Sequence, residues 1–143
     1  MDIEKCVINV LKQNTAKLNF HDERKEIGDR YILCSKDNFP MANIYTIMRI
    51  FKDIDNIDCQ RTYIELHKHS VDSLWIFIGN CEDLTGLSVR INIDYEEKII
   101  QSPAVIYLPK DTLHEYCPVH GSGYYFNIVL TGSRDYNAVT FGK

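Results

Sequence analysis

Apolar and polar positions alternate along several short stretches of the chain, which is the pattern of half-buried β-strands. Residues 87–94 alternate without a break. Further stretches are rich in β-branched and aromatic residues and also predict strands; they are residues 31–34, 44–51, 61–69, 73–78, 104–108 and 124–130. Short strands at regular spacing predict an all-β fold, either an antiparallel sandwich or a barrel.

The N-terminal segment has a helical rather than an alternating period. Asp2 can cap a short α-helix with an apolar stripe made of Ile3, Val7, Val10 and Leu11. A polar connection follows the helix, and its charged run, residues 21–26, is predicted to face water.

The chain is expected to form one domain, because it shows no internal repeat, low-complexity tract or interdomain linker. The predicted parts are a helix and connecting arm at residues 1–39, a barrel at residues 40–132 and a tail at residues 133–143.

Composition removes several classes of partner. The 143 residues carry a net charge of −4, and the 16 Lys and Arg residues are scattered, so no nucleic-acid partner is expected. No apolar run approaches the ~20 residues that span a bilayer, and no signal-peptide pattern is seen, so we expect a cytoplasmic protein without a membrane partner. The five cysteines lack a CxxC spacing and are predicted to be reduced thiols.

Three histidines indicate a metal site. His67 and His69 point the same way on a strand, with side chains about 7 Å apart, and His114 can supply a third ligand from another strand. Glu65 shares their strand parity. Its carboxylate is therefore a candidate fourth ligand, imidazole partner or general base, with a solvent-exposed side chain as the alternative.

The last long strand offers two faces. Tyr125 and Asn127 lie on one face and could hydrogen-bond a polar ligand. The opposite face is uniformly apolar and is expected to be ordinary core; it comprises Tyr124, Phe126, Ile128 and Leu130.

These residues resemble the two sequence motifs of the cupin family over residues 40–132. The first motif, His-x-His followed by Glu and then Gly, is similar to the segment from His67 to Gly79, although Ser73 or Leu74 stands where the family has Glu. The second motif is similar to the segment from Pro103 to His114. The resemblance implies an antiparallel cupin-type barrel, also called a double-stranded β-helix or jelly roll, with the short N-terminal helix packed on it.

The resemblance also implies a divalent transition metal, Fe, Mn, Ni or Zn, held by the three histidines, and a small-molecule ligand or substrate. Dioxygenase, isomerase or epimerase chemistry would suit such a site. The alternatives are a non-catalytic sensor with a weak or absent metal site, and an assembly or storage protein. Family habit implies a homodimer, for which a strand edge at residues 44–51 is the candidate pairing surface.

Overall fold

The computed structural model describes residues 2–13, 18–21, 27–55 and 65–143. In these residues the dominant element is an antiparallel β-sheet that curls on itself. Its ten strands are β1 (Leu11–Lys12), β2 (Arg30–Cys34), β3 (Tyr45–Asp55), β4 (His67–His69), β5 (Ser73–Gly79), β6 (Leu87–Ile93), β7 (Glu96–Gln101), β8 (Ala104–Leu108), β9 (His114–Val129) and β10 (Thr140–Gly142). Two 3₁₀ turns accompany them, at Ile3–Cys6 and Asn137–Val139.

Strand β9 organises the sheet. Its first half pairs with β6 and its second half pairs with both β3 and β5, while His114 at its start meets β4. The outer strands then add β2 to β3, β8 to β5, β7 to β6 and β10 to β4. The strands predicted at residues 73–78, 87–94 and 104–108 are confirmed, as is the all-β, antiparallel class.

Two glycines let β9 change partners in its middle. Gly121 has φ +95°, and a Cβ there would lie 1.8 Å from the Gly86 carbonyl oxygen. A Cβ on Gly123 would lie 2.2 Å from the Ile78 carbonyl oxygen. Only glycine permits this positive φ and such close backbone contacts, so these two residues allow one strand to serve both halves of the barrel.

Alternate side chains along the strands point inward and fill the barrel interior. On β5 the inward residues Ser73, Trp75 and Phe77 are buried, whereas the residues between them are only partly covered. On β9 the buried face carries Tyr125, Asn127 and Val129. The prediction for β9 was therefore wrong: Tyr124 is 40% exposed and Leu130 is 51% exposed. The apolar face lies outside, because Tyr125, Asn127 and Val129 pair with Phe77, Trp75 and Ser73, the inward-facing residues of β5, and paired residues share one face of a sheet.

The predicted N-terminal α-helix is also wrong, because the segment forms only the 3₁₀ turn Ile3–Cys6. Asp2 caps it as expected, its Oδ1 accepting a hydrogen bond from the Glu4 N–H at 3.1 Å. Ile3 and Val7 are more than two-thirds exposed, so no packing supports the stripe. An isolated helix of this length is marginal in water, and its β-branched residues favour extended backbone. Leu11 instead pairs with Ile32 in β1.

Other expectations also need correction. Residues 44–51 do not form an edge, because β3 lies between β2 and β9. Residues 61–64 of the predicted strand 61–69, and residues 22–26 of the charged run, lie outside the described residues.

The cysteines follow the prediction only in part. Cys6, Cys34 and Cys81 are free thiols. Cys117 is disulfide-bonded, so the expectation of five reduced thiols is wrong. Spacing along the chain does not reveal which cysteines meet in space.

Within the described part of the chain, no helix has the length and apolar character needed to cross a membrane.

Candidate metal centre

The fold brings the three predicted histidines together in its interior. His67 and His69 project inward from β4, while His114 at the start of β9 lies directly opposite His67 in the strand pairing. All three side chains are buried, and their ring centroids are 4.6 to 5.1 Å apart. One ligand nitrogen from each ring lies within 4.8 Å of the other two. This is a compact group of three imidazoles from two strands.

Hydrogen bonds at Nδ1 decide which nitrogen of each ring carries the proton. His67 Nδ1 lies 2.7 Å from the Glu65 carbonyl oxygen, and His114 Nδ1 lies 2.8 Å from the Thr112 carbonyl oxygen. A carbonyl oxygen only accepts, so both rings must donate from Nδ1. A neutral ring that donates from Nδ1 keeps the lone pair on Nε2.

Thr140 fixes the third ring in the same way. Its hydroxyl donates to the Tyr136 carbonyl oxygen at 2.6 Å, so Thr140 Oγ1 can only accept from His69 Nδ1, which lies 3.0 Å away. All three neutral rings therefore have the same tautomer, with Nε2 left as an acceptor.

The Nε2 atoms of His69 and His114 are buried and have no hydrogen-bond partner. An unpaired buried acceptor of this kind costs about 1–3 kcal/mol. A divalent transition ion accepts neutral imidazole nitrogen readily and would remove this cost. The donor set thus fits a metal ion on chemical grounds.

Burial keeps the three rings neutral. Desolvation lowers the pKa of His67 to about 4, and the charge of Arg30 contributes in the same direction. Desolvation and the neighbouring His67 lower the pKa of His114 to about 3. For His69, desolvation and the other two rings lower the pKa to about 2. At neutral pH no proton competes with a metal for these nitrogens.

A small cavity of about 10 Å³ adjoins the histidines and has room for about one water molecule. Tyr125 and Asn127, the predicted ligand-binding residues, both line it. Glu65 does not, because its side chain is exposed and only its backbone carbonyl contacts the histidines. The full lining consists of His21, Arg30, His67, Trp75, His114, Tyr116, Tyr125, Asn127 and Tyr136.

No carboxylate in the described part of the chain joins the three imidazoles. Ser73, at the position of the motif's Glu, is buried, and its hydroxyl has no partner. The carboxylate of Asp72 accepts hydrogen bonds from the Tyr107 hydroxyl and the Lys110 N–H instead.

Sequence reasoning missed several cavity residues. His21 was assigned to a solvated run, yet its ring centroid is 6.1 Å from those of both His67 and Tyr136. Burial, assisted by the charge of Arg30, lowers the pKa of His21 well below its usual value. Arg30 shares the buried face of β2 with Ile32, so strand parity could have found it. Tyr136 comes from the tail, and no sequence pattern points to it.

His120 is the remaining histidine and lies outside the cluster. It lies on β9, with its side chain 70% exposed and its Nδ1 4.0 Å from Asp55 Oδ1.

No protein-family model and no curated protein matches the chain. Solved structures do match it in three dimensions. A cupin-like protein from Thermotoga maritima is 12% identical, with a TM-score of 0.52, over 73% of this chain and 70% of that one. Oxalate decarboxylase from Bacillus subtilis is 17% identical, with a TM-score of 0.55, over 95% of this chain. HppE with Fe(II) is 8% identical, with a TM-score of 0.51, over 85% of this chain. The matched region is 32% of oxalate decarboxylase and 56% of HppE.

Proposed function

With the cupin fold of this chain as the premise, we propose that His67, His69 and His114 hold a divalent transition metal beside a site for a small polar molecule. The observation that carries the proposal is the shared tautomer of the three buried rings, each donating from Nδ1 and keeping Nε2 free. The pairing of every Nδ1 with an acceptor orients the imidazoles before any metal binds.

Iron, manganese, nickel and zinc are the candidate ions, since all accept imidazole nitrogen. When bound, such an ion supplies Lewis-acid or redox chemistry at its open coordination positions. The protein supplies neutral donors, a small adjoining cavity and the polar groups of Tyr125 and Asn127 at its wall. One fold relative is a decarboxylase of oxalate and another carries Fe(II), which supports metal-dependent oxidoreductase or isomerase-type chemistry on a small substrate.

A non-catalytic small-molecule binder or sensor is the second candidate. Two observations favour it. The described residues add no carboxylate to the histidines, and the adjoining cavity of about 10 Å³ leaves little room for a metabolite in this conformation. A weak metal site is compatible with binding but not with turnover at the ion.

Metal analysis tests the proposal directly. We expect protein purified without chelators, or loaded with Fe(II), Mn(II), Ni(II) or Zn(II), to hold about one ion per chain. His114→Ala and His69→Ala should each lose it, whereas His120→Ala, on an exposed histidine, should keep it. Absence of metal in the purified protein together with no uptake of any of the four ions would refute the proposal.

Turnover then separates the two candidates. The metal-loaded protein would be assayed for oxygen consumption and for product formation with a panel of small acids, thiols and sugars. Turnover that disappears in His114→Ala supports the enzyme, whereas saturable binding without turnover supports the sensor.

A further inference from the structure

Arg30 is a buried cation that forms no ion pair with a carboxylate of the described residues. Its side chain is 3% exposed on β2. It donates from Nε to Gln13 Oε1 at 2.8 Å and from Nη2 to the Tyr45 hydroxyl at 3.1 Å, and both partners are neutral. The carboxylate of the adjacent Asp29 pairs with Lys12 instead. Over the described ranges, no Asp or Glu forms an ion pair with Arg30.

Burying the Arg30 guanidinium removes water from a charged group, which costs free energy. The group cannot avoid this cost by losing its proton, because the pKa of a guanidinium is too high. Buried charges in proteins are normally paired, since an unpaired one loses its hydration without recompense. Two of the five guanidinium N–H donors are used by Gln13 and Tyr45, which leaves three for another acceptor.

Arg30 lines the same cavity as His67 and His114. A divalent ion on three neutral histidines would add to the positive charge of Arg30. Among the described residues, nothing on the cavity wall offsets it.

We infer that Arg30 binds a small carboxylate at the edge of the histidine cavity, next to the metal ion. The inference rests on the proposed function for that metal. A carboxylate supplies the missing negative charge, and its two oxygens match the planar donor fork of arginine. The cavity of about 10 Å³ has room for one carboxylate oxygen in place of a water molecule. Its aromatic walls, Trp75, Tyr116 and Tyr125, favour a planar anion over a tetrahedral one such as sulfate or phosphate.

A second cavity can accept the body of a larger carboxylate. It has a volume of about 480 Å³ and shares Tyr136 with the histidine cavity. Gln13 and Tyr45, the two hydrogen-bond partners of Arg30, line it. A carboxylate at Arg30 would thus lie at the boundary between the two cavities, with the apolar Ile32, Leu18 and Ile44 beyond.

Calorimetric titration of formate, the smallest carboxylate, tests the inference in chloride-free buffer. Wild-type protein would be titrated both loaded with Co(II) and free of metal. The decisive variant is Gln13→Glu, which places a carboxylate 2.8 Å from Arg30 Nε without changing side-chain size. We expect this internal counter-ion to weaken formate binding at least ten-fold. Gln101→Glu makes the same charge change on an exposed strand and should leave formate affinity unchanged.

Arg30→Gln and Arg30→Lys provide a second pair, with circular dichroism to verify folding. Formate affinity should fall at least ten-fold in Arg30→Gln and less in Arg30→Lys, which keeps the charge but loses the fork. Equal affinity in wild type, Gln13→Glu and Arg30→Gln would overturn the inference, as would binding of sulfate in preference to formate or no formate binding in either form of the protein.

The two proposals can fail separately. Uptake of Co(II), read from its visible absorption, without formate binding would leave the metal site standing and reject the carboxylate. Arg30-dependent formate binding by a protein that takes up neither Co(II) nor any of Fe(II), Mn(II), Ni(II) and Zn(II) would keep the anion site and reject the metal.

Discussion

At the scale of single residues, Thr140 has an effect beyond its size. Its hydroxyl is held as an acceptor by the Tyr136 carbonyl and thereby fixes His69 with its proton on Nδ1. The other two rings depend on backbone carbonyls, which side-chain substitution leaves in place. Thr140 is therefore the one side chain in the described part of the chain that is seen to hydrogen-bond one of the three imidazoles.

Thr140→Val should lower metal affinity about ten-fold or more while the domain stays folded, because loss of such a hydrogen-bond partner releases the ligand ring. Isothermal titration with Zn(II) measures the effect. Thr131→Val is the control, since Thr131 is equally buried but contacts the Gly132 carbonyl oxygen and no histidine. Unchanged affinity in Thr140→Val would show that packing alone orients His69.

The buried histidines also predict a pH dependence for the stability of the metal-free protein. Their folded pKa values lie at about 4, 2 and 3, below the usual value of 6.5, so the unfolded chain binds protons first as the pH falls. The contribution of the neutral rings to the free energy of unfolding is therefore complete above about pH 6.5. It is lost as the pH drops towards 4, by up to about 1.4 kcal/mol per pH unit for each ring.

Urea unfolding between pH 7.5 and 4.5 tests this expectation. His114→Ala should show a shallower loss of stability with acidification than the wild type. An equal slope in both proteins would mean that His114 is already solvated in the folded state.

At the scale of elements, the curvature of β9 depends on Gly121. A side chain at this position would be unfavourable for two reasons. The φ of +95° strains any residue with a Cβ, and that Cβ would lie 1.8 Å from the Gly86 carbonyl oxygen. Gly132 has a positive φ of +61° but nothing within 4 Å of a Cβ, so it carries only the conformational part of that penalty.

Gly121→Ala should therefore reduce the free energy of unfolding by about 3 kcal/mol or more, and Gly132→Ala by only about 1 kcal/mol. Denaturant unfolding of both variants separates backbone conformation from steric contact. Similar losses in the two variants would indicate that the β6 backbone moves away from β9 at little cost.

At the scale of the whole molecule, metal binding should stabilise the folded state relative to the unfolded chain. Binding to the folded state alone at a free-ion concentration 100 times Kd adds about 2.7 kcal/mol, which for a domain of this size raises Tm by about 5–10 °C. Differential scanning calorimetry with and without Zn(II) measures this shift. The His69→Ala variant should show none, and a shift that persists in it would point to metal bound elsewhere.

The homodimer implied by the cupin resemblance stays a prediction. Sedimentation velocity should give a species of twice the 16.7 kDa chain mass. If the protein sediments as a single chain across micromolar concentrations, the predicted dimer is wrong. The pairing surface first expected at residues 44–51 is in any case covered by β2 and β9.

The sequence by itself determined the features that depend on local alternation. Period-two patterning predicted β6, whereas richness in β-branched and aromatic residues predicted β5 and β8. Strand parity put His67 and His69 on one face. Side-chain direction on a strand follows from backbone geometry alone, so no distant contact is needed for such predictions. The local pattern could not decide which face of β9 turns inward. It also predicted an N-terminal α-helix where the chain forms only a 3₁₀ turn with no buried residue.

Only the tertiary structure decided how the candidate site is completed. His114 meets His67 through the pairing of β9 with β4, Thr140 reaches His69 because β10 pairs with β4, and Arg30 enters the cavity from β2. These contacts join residues far apart in the chain, and they depend on strand register, which long-range packing sets. The three histidines could thus be predicted from the sequence. The fold decides their tautomers and places the charge of Arg30 beside them, and in the described residues it brings no carboxylate to them.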